Sequence, residues 1–329
     1  MEMHSGLINH PGAWTSKSLG GKEGITHRFS DRQLKALDEL LAQTRHLKPQ
    51  QPTRAQFDHP DINGFLAELR KDLLEGKGAG LLVGITRERF SEEDFERILW
   101  GFGLHWGDAV MQSDLGDRIG HVRFEPSLTK VRGYRSQREL KIHTDVNEIV
   151  SLMSVQKSEV GGMSRLVSGL AIHNEIWRTR PDLLRALYEG YPRWIFESLQ
   201  VSKYPVPVLS CVKGKVSASL YGIEEAIDDL KTNPPSAEFV AGFELFKEIS
   251  VRDDVCLSMV LEPGEIMVWS NFTCLHARTA FEDTPEQRRH LLRLWLDCAD
   301  GRPIHPAYTK LAAEYRNANE TVPLRPALV

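Results

Sequence analysis

The stretch Arg138–Gln156, RELKIHTDVNEIVSLMSVQ, sets a histidine and an aspartate two residues apart just ahead of a long apolar run. The run EIVSLMSVQ, rich in Ile, Val and Leu, reads as a buried strand. In an extended chain the side chains at i and i+2 point to the same side, roughly 6 to 7 Å apart along the backbone. His143 and Asp145 can therefore reach one ion from a single segment. The spacing alone is a weak signal, because a chain with this many His and Asp contains about one such pair by chance. The chain also holds its own control: His59 and Asp61, in FDHPDINGF, share the spacing but enclose Pro60 and precede a helix start. That pair reads as a turn and helix cap. On spacing alone, an ordinary buried or surface pair is the commoner reading for His143 and Asp145 too.

Upstream of this stretch the first hundred residues are helix-rich. In SDRQLKALDELLAQTRHL, Ser30 and Gln33 form a capping-box pattern, and Leu34, Leu37 and Leu41 share one face of an outer helix. A second amphipathic helix follows Asn63, with Phe65, Leu66, Leu69 and Leu73 at helical spacing. AGLLVGI (Ala79–Ile85) reads as a buried strand, and Ser91 with Asp94 caps another helix. From about Asp108 to Lys141 the periodicity fades into polar sequence with short pieces such as GHVRFE, a length of connection typical of a lid or binding loop.

Downstream, SRLVSG, a helical pair from about Leu170 to Tyr188, and a hairpin in VPVLSCVKGKVSASLY turning at Lys213–Gly214 follow. A helix from about Ala237 to Val251 precedes two β-like runs in CLSMVLEPGEIMVWSN, joined at Pro263–Gly264. The last strong strand is RRHLLRLWLD, ending at Asp297. No internal repeat or linker divides the chain. The expectation is one α+β domain over residues 1–329: a helix-rich part to about 105, a strand-rich barrel and lid over about 106–300, and a tail from 301 to 329.

With 329 residues, 26% charged, 41% hydrophobic and a net charge of -4, the composition is that of an ordinary soluble globular protein. Lys and Arg are interspersed with Asp and Glu, so the basic stripe needed for a nucleic-acid partner is missing. Cys211, Cys256, Cys274 and Cys298 form no CxxC pair and read as reduced and buried. No segment is apolar enough for a membrane span, and the N-terminal stretch lacks a leader pattern, so a cytoplasmic location is expected.

The far end of the chain changes the weight given to His143 and Asp145. There WSNFTCLHARTAFEDTPEQRRHLLRLWLD carries a lone histidine leaving one strand, followed by an Arg-rich strand. The combination of HTD, GGMSRLVSG and LHARTAFEDTPEQRRHLLRLWLD resembles the taurine dioxygenase (TauD/TfdA-like) family of Fe(II)- and 2-oxoglutarate-dependent dioxygenases, over roughly residues 100 to 297. The resemblance implies a double-stranded β-helix (jelly-roll, cupin-like) core with flanking helices. It implies His143, Asp145 and His276 as iron ligands, a facial triad with open coordination positions. It also implies Ser164, where the family usually has threonine, and Arg289 as partners of the 2-oxoglutarate carboxylate remote from iron. Arg288 is the rival of Arg289, because the gap from His276 is two residues longer than usual.

Strand parity favours Arg289, which shares its face with Leu291, Arg293 and Trp295, while Arg288 falls with His290, Leu292 and Leu294. Arg293 then reads as a second pocket cation, for cosubstrate or substrate. Gln112, Arg118 and Tyr134, in the presumed lid, join it as candidate substrate contacts.

The implied activity couples O2-dependent decarboxylation of 2-oxoglutarate to succinate with hydroxylation, desaturation or ring closure at an unactivated C–H. A small carboxylate-bearing substrate, such as an amino acid or natural-product intermediate, suits a cationic pocket. Halogenation is disfavoured, because related halogenases have a small residue where Asp145 stands. Two other classes stay open from sequence: a non-redox hydrolase or isomerase using the same ligands, and a non-catalytic binding barrel. The expected partner is a small molecule; self-association is left open. His105 reads as a loop or pocket residue, His173 as a helix residue, His290 as having the wrong parity, and Cys274 as small and buried rather than a ligand.

Overall fold

The computed structural model describes residues 2–112, 116–125, 136–196 and 198–321. Its N-terminal part contains α1 (Ser16–Leu19), β1 (Thr26–Arg28), α2 (Asp31–Thr44), α3 (Pro60–Glu75), β2 (Ala79–Val83), α4 (Glu92–Trp106), β3 (Asp108–Ala109) and β4 (Ile119–Arg123). Next come β5 (Leu140–His143), β6 (Ile149–Gln156), β7 (Val160–Gly161), β8 (Ser164–Ser168), α5 (Gly169–Thr179) and α6 (Leu184–Glu189). Two hairpins follow, β9 (Trp194–Ile195) with β10 (Gln200–Val201) and β11 (Leu209–Val212) with β12 (Lys215–Ala218), and then α7 (Ile223–Asp229) and α8 (Ala237–Ser250). The chain continues through β13 (Leu257–Met259), β14 (Ile266–Ser270), β15 (Cys274–Arg278), β16 (Phe281–Glu282), β17 (His290–Asp297) and α9 (Pro306–Thr321).

The helix starts follow local chemistry. Ser30 Oγ accepts the Gln33 N–H while Gln33 Oε1 accepts the Ser30 N–H, and Ser91 and Asp94 make the same exchange at α4. Each such cap contributes about 1 kcal/mol. Helix α3 starts at Pro60 rather than after Asn63, since Pro fits the first helical position and His59 Nδ1 accepts the Asp61 N–H. The control pair His59/Asp61 is indeed a cap. At the β11–β12 turn, Lys213 (φ 52°) and Gly214 (φ 72°) both take left-handed backbone, the geometry a two-residue hairpin requires.

The strands form two main sheets. The larger runs β1-β2-β14-β6-β17, with β3 and β4 both pairing on the far side of β17; the smaller runs β13-β8-β15-β5. The two β-like runs joined at Pro263–Gly264 therefore part company, β13 into the small sheet and β14 into the large one. Apart from β1 with β2, the pairings in these sheets are antiparallel.

Period-2 alternation then decides what each face meets. On β17, Leu292, Leu294 and Leu296 pack under Phe95, Ile98, Phe102 and Trp106 of α4, together with α2 and α3. The alternate residues Leu291 and Trp295 point the other way, into a core shared by both sheets with Val150, Leu166, Met267 and Trp269. A third cluster covers the back of the small sheet with α5, α6 and α8. This is the layered arrangement of a double-stranded β-helix, whose strands bury both faces and so lose the polar alternation of a one-sided sheet. The stretch from residue 301, expected as a tail, instead carries α9, which sets Ala312 and Tyr315 against the inter-sheet core.

Candidate active site

The mouth between the two sheets is where the HTD segment leaves β5. His276 on β15 pairs directly across the small sheet with His143 on β5, so the ladder itself brings the imidazoles together, with ring centroids 4.1 Å apart. Asp145 follows in the β5–β6 turn, and one ligand atom from each of the three residues lies within 4.8 Å of the others. Asn271, from the β14–β15 turn, fixes the Asp145 backbone. Its Oδ1 accepts the Asp145 N–H at 3.0 Å, and its amide donates to the carbonyls of Asp145 at 2.7 Å and Asn147 at 2.9 Å.

Hydrogen bonds also orient the side chains of this group. His143 Nδ1–H donates to the Lys141 carbonyl at 2.8 Å, which leaves Nε2 with its lone pair free. The Trp295 indole N–H donates to Asp145 Oδ2 at 2.8 Å, and His276 Nε2 lies 3.7 Å from the same oxygen. Burial lowers the pKa of both imidazoles, that of His276 markedly. Burial alone would raise Asp145, but the neighbouring His276, Arg293 and His143 and the Trp295 hydrogen bond outweigh it and lower its pKa, and with both imidazoles neutral the permanent cation among them is Arg293. Two neutral imidazoles and one carboxylate on one side of a pocket form a donor set that fits Fe(II) and leaves coordination positions open. The His276 Nδ1 is buried without a hydrogen-bond partner among the described residues.

A second polar cluster joins the start of β8 to the start of β17. Arg289, just ahead of β17, is 4% exposed, whereas Arg288 is exposed at the surface. Ser164, the first residue of β8, is buried and lines one small cleft with Arg289 and Leu291. The glycine pair that opens GGMSRLVSG makes room for this. Gly161 and Gly162 have φ of 71° and 69°, and a Cβ on Gly162 would lie 3.1 Å from Arg289 Nε. Burial, then the neighbouring Arg278 charge, push the Arg289 pKa down to about 9, so the group stays a cation at neutral pH.

The third feature is a cavity of about 460 Å3 that opens onto His143 and Asp145 and has Arg293 in its wall. Leu220, Tyr221, Ile223, Phe196 and Phe243 supply its apolar surface. At its rim Glu224 is bridged by Lys141 at 2.7 Å and Lys247 at 2.8 Å. Arg293 stands over the Trp295 ring at 4.1 Å and donates through Nε to Gln112 Oε1 at 2.8 Å. Gln112 is buried and donates to the carbonyls of Arg118 and Arg293, so it braces Arg293 and does not line the cavity. Arg118 is exposed and the structure does not bring its side chain to the cavity. Tyr134 lies outside the described residues.

The remaining histidines are accounted for locally. His105 is on α4, not in a loop, and its Nε2 bonds the Phe57 carbonyl at 2.7 Å. His173 is buried on α5, and His290 faces away from the site and meets His121 at 2.8 Å. Cys274 is fully buried, and the four cysteines are free thiols. Sequence reasoning missed Asn271, whose role depends on a turn contact across 126 residues, and Arg278, which shares His276's strand parity and was legible on that ground.

Comparison with known proteins agrees with this geometry. Residues 43–295 match the family model "Taurine catabolism dioxygenase TauD, TfdA family". The chain is 27% identical over 253 residues to FR-33289 synthase of Streptomyces rubellomurinus, a match covering 72% of this chain and 74% of that protein. It is 26% identical over 316 residues to the taurine hydroxylase-like protein SAT17 of Stachybotrys chartarum, covering 88% and 80% respectively. Its fold is similar to that of an asparagine oxygenase in complex with Fe(II), 2S,3S-3-hydroxyasparagine and succinate, with 18% identity, TM-score 0.64, and coverage of 86% of this chain and 98% of that one. The non-heme iron oxygenase OrfP in complex with Fe and alpha-ketoglutaric acid is similar at 12% identity and TM-score 0.60, over 84% of this chain and 94% of that one. A family match across three quarters of the chain, on a fold shared with such enzymes, establishes that this protein belongs to the TauD/TfdA family and is a non-haem Fe(II)- and 2-oxoglutarate-dependent dioxygenase.

Proposed function

We propose that His143, Asp145 and His276 hold the iron, that Ser164 and Arg289 hold the remote carboxylate of 2-oxoglutarate, and that the 460 Å3 cavity beside them receives a small carboxylate-bearing substrate, with Arg293 as its cation. The observation that carries this reading is the cross-strand pairing of His143 with His276, with Asp145 in the same mouth. Bound iron supplies the oxidising chemistry: O2 activation coupled to decarboxylation of 2-oxoglutarate to succinate and CO2, and oxidation of a substrate C–H bond.

The protein's own groups do the positioning. The Lys141 carbonyl fixes the tautomer of His143, and the Trp295 indole turns Asp145 so that one oxygen stays free to bind. Arg289 neutralises a carboxylate in a site that excludes water, where a planar guanidinium can bind bidentately. Phe196, Tyr221 and Phe243 give the cavity apolar walls that shield an oxidising centre from solvent. The asparagine oxygenase and the arginine-bound OrfP support an amino acid, or a molecule shaped like one, as the substrate. A succinate-release screen of amino acids and small organic acids, with purified protein, Fe(II), 2-oxoglutarate and O2, tests this. An acid that stimulates release and returns oxidised supports the proposal; stimulation only by uncharged compounds would sink the carboxylate reading. Location in the cytoplasm and a single-domain organisation are part of the same proposal; among the described residues no helix is long and apolar enough to cross a membrane.

A further inference from the structure

One buried cation near the cosubstrate pocket has no part in the scheme above. Arg278 closes β15, two residues beyond His276 and on the same face, so it points into the barrel. In the ladder it stands directly opposite Ser164 of β8, which places its side chain beside that hydroxyl. Its guanidinium lies 4.6 Å from the Phe281 ring centre, and that of Arg289 lies 5.3 Å from the same ring. Both arginines are nearly fully buried, at 5% and 4% exposure. Nε and Nη1 of Arg278 and Nη1 of Arg289 find no acceptor among the described residues.

Two desolvated guanidiniums that contact the same ring repel each other, and buried N–H groups of this kind each demand an acceptor. Asp283 faces both cations, so the cluster carries two positive charges against one acidic side chain. One further carboxylate would balance it and accept the unused N–H groups. We infer that Arg278 is a second cosubstrate-binding residue, so that the remote carboxylate of 2-oxoglutarate sits between Arg278 and Arg289 with the Ser164 hydroxyl beside it. This rests on the pocket assignment proposed above. Arg278 also donates through Nη2 to the Arg138 carbonyl, and the Phe281 N–H donates to the Gln137 carbonyl, so the same group braces the backbone that leads into β5 and His143.

The test compares 2-oxoglutarate with 2-oxobutyrate, which keeps the chelating keto acid and lacks the remote carboxylate. Each is titrated into anaerobic Fe(II)-loaded protein, with binding read from calorimetry and from the visible charge-transfer band. Arg278→Gln is expected to weaken 2-oxoglutarate by roughly tenfold to a hundredfold, as the loss of a charge-assisted bond to a carboxylate would, while leaving 2-oxobutyrate within about twofold. Arg278→Lys, which keeps the charge, recovers part of the loss and serves if the glutamine variant does not fold. Unchanged 2-oxoglutarate affinity, or equal weakening of both ligands, would overturn the inference, the second outcome marking a purely structural brace. Arg289→Gln separates the two levels: if it alone weakens 2-oxoglutarate, only Arg278 is wrongly assigned. If neither variant does, the pocket assignment falls as well.

Discussion

Asp145 is held by a neighbour that is not a ligand, and the strength of that hold can be measured. Trp295→Phe keeps the ring packing but removes the N–H donor to Oδ2. Loss of such a supporting bond typically costs about tenfold to a hundredfold in metal affinity, so Fe(II) or Mn(II) titration of the variant should show that drop. An unchanged affinity would mean that Asn271 and the backbone alone orient the carboxylate. On the proposed assignment, Arg289→Ala removes the cosubstrate's buried partner, and 2-oxoglutarate should weaken by on the order of a hundredfold to a thousandfold; calorimetry with an intact metal site checks it. His290 gives a prediction about pH. Burial, then the charges of His121 and Arg123, lower its pKa from 6.5 to about 4, so the fold binds its neutral form. A histidine depressed in this way contributes stability that is complete above its unfolded pKa and is lost as pH falls through the folded value. Between pH 6.5 and 4 the loss reaches on the order of 3 kcal/mol. His290→Gln should therefore flatten the fall of Tm over that window, and a parallel fall in both proteins would refute the assignment.

At the level of elements, two tight turns meet at the site: the β5–β6 turn that carries Asp145 and the β14–β15 turn that carries Asn271. Asn271→Ala would leave three backbone groups short of a partner, a loss of about 3 kcal/mol at about 1 kcal/mol each. Thermal melts should show several degrees of destabilisation, and metal binding should weaken with it. This contact marks the limit of what could be read beforehand. Strand parity along RRHLLRLWLD is local: it set Arg289 and Arg293 on one face, where both are buried, but it grouped Arg288 with the buried His290, Leu292 and Leu294, whereas Arg288 precedes the strand and is exposed. Capping boxes at Ser30 and Ser91 are local too, and the helix starts followed them. Gln112 was misread because its position in a polar segment says nothing of the β17 backbone it reaches across 181 residues. Arg118 was misread for the same reason: the turn into β4 aims its carbonyl, and not its guanidinium, inward. The helix nature of His105 was missed because Gly101 and Gly103 weaken the helical signal, while tertiary packing of Gly103 under Leu294 sustains it.

Across the whole molecule, layers of side chains connect the C-terminal helix to the reacting centre. Tyr315 of α9 lies 6.0 Å from the Trp295 ring, and Trp295 in turn holds Asp145. Removing residues 303–329 would uncover Trp295 and the inter-sheet core, so the truncated protein should melt lower and bind metal more weakly than the intact chain. Equal metal affinity in a folded truncation would show that the inner layer stands alone.

The pairing of His143 with His276 is set by a ladder of backbone hydrogen bonds, whereas the apolar part of the cavity wall comes largely from α7, α8, the segment before α7 and the β9–β10 hairpin, with β5 and Arg293 closing the barrel side. Oxidising power and molecular taste are thus housed in separable parts. Exchanging the wall segments between relatives should redirect the enzyme to new acids while the heart of the barrel goes on running the same reaction.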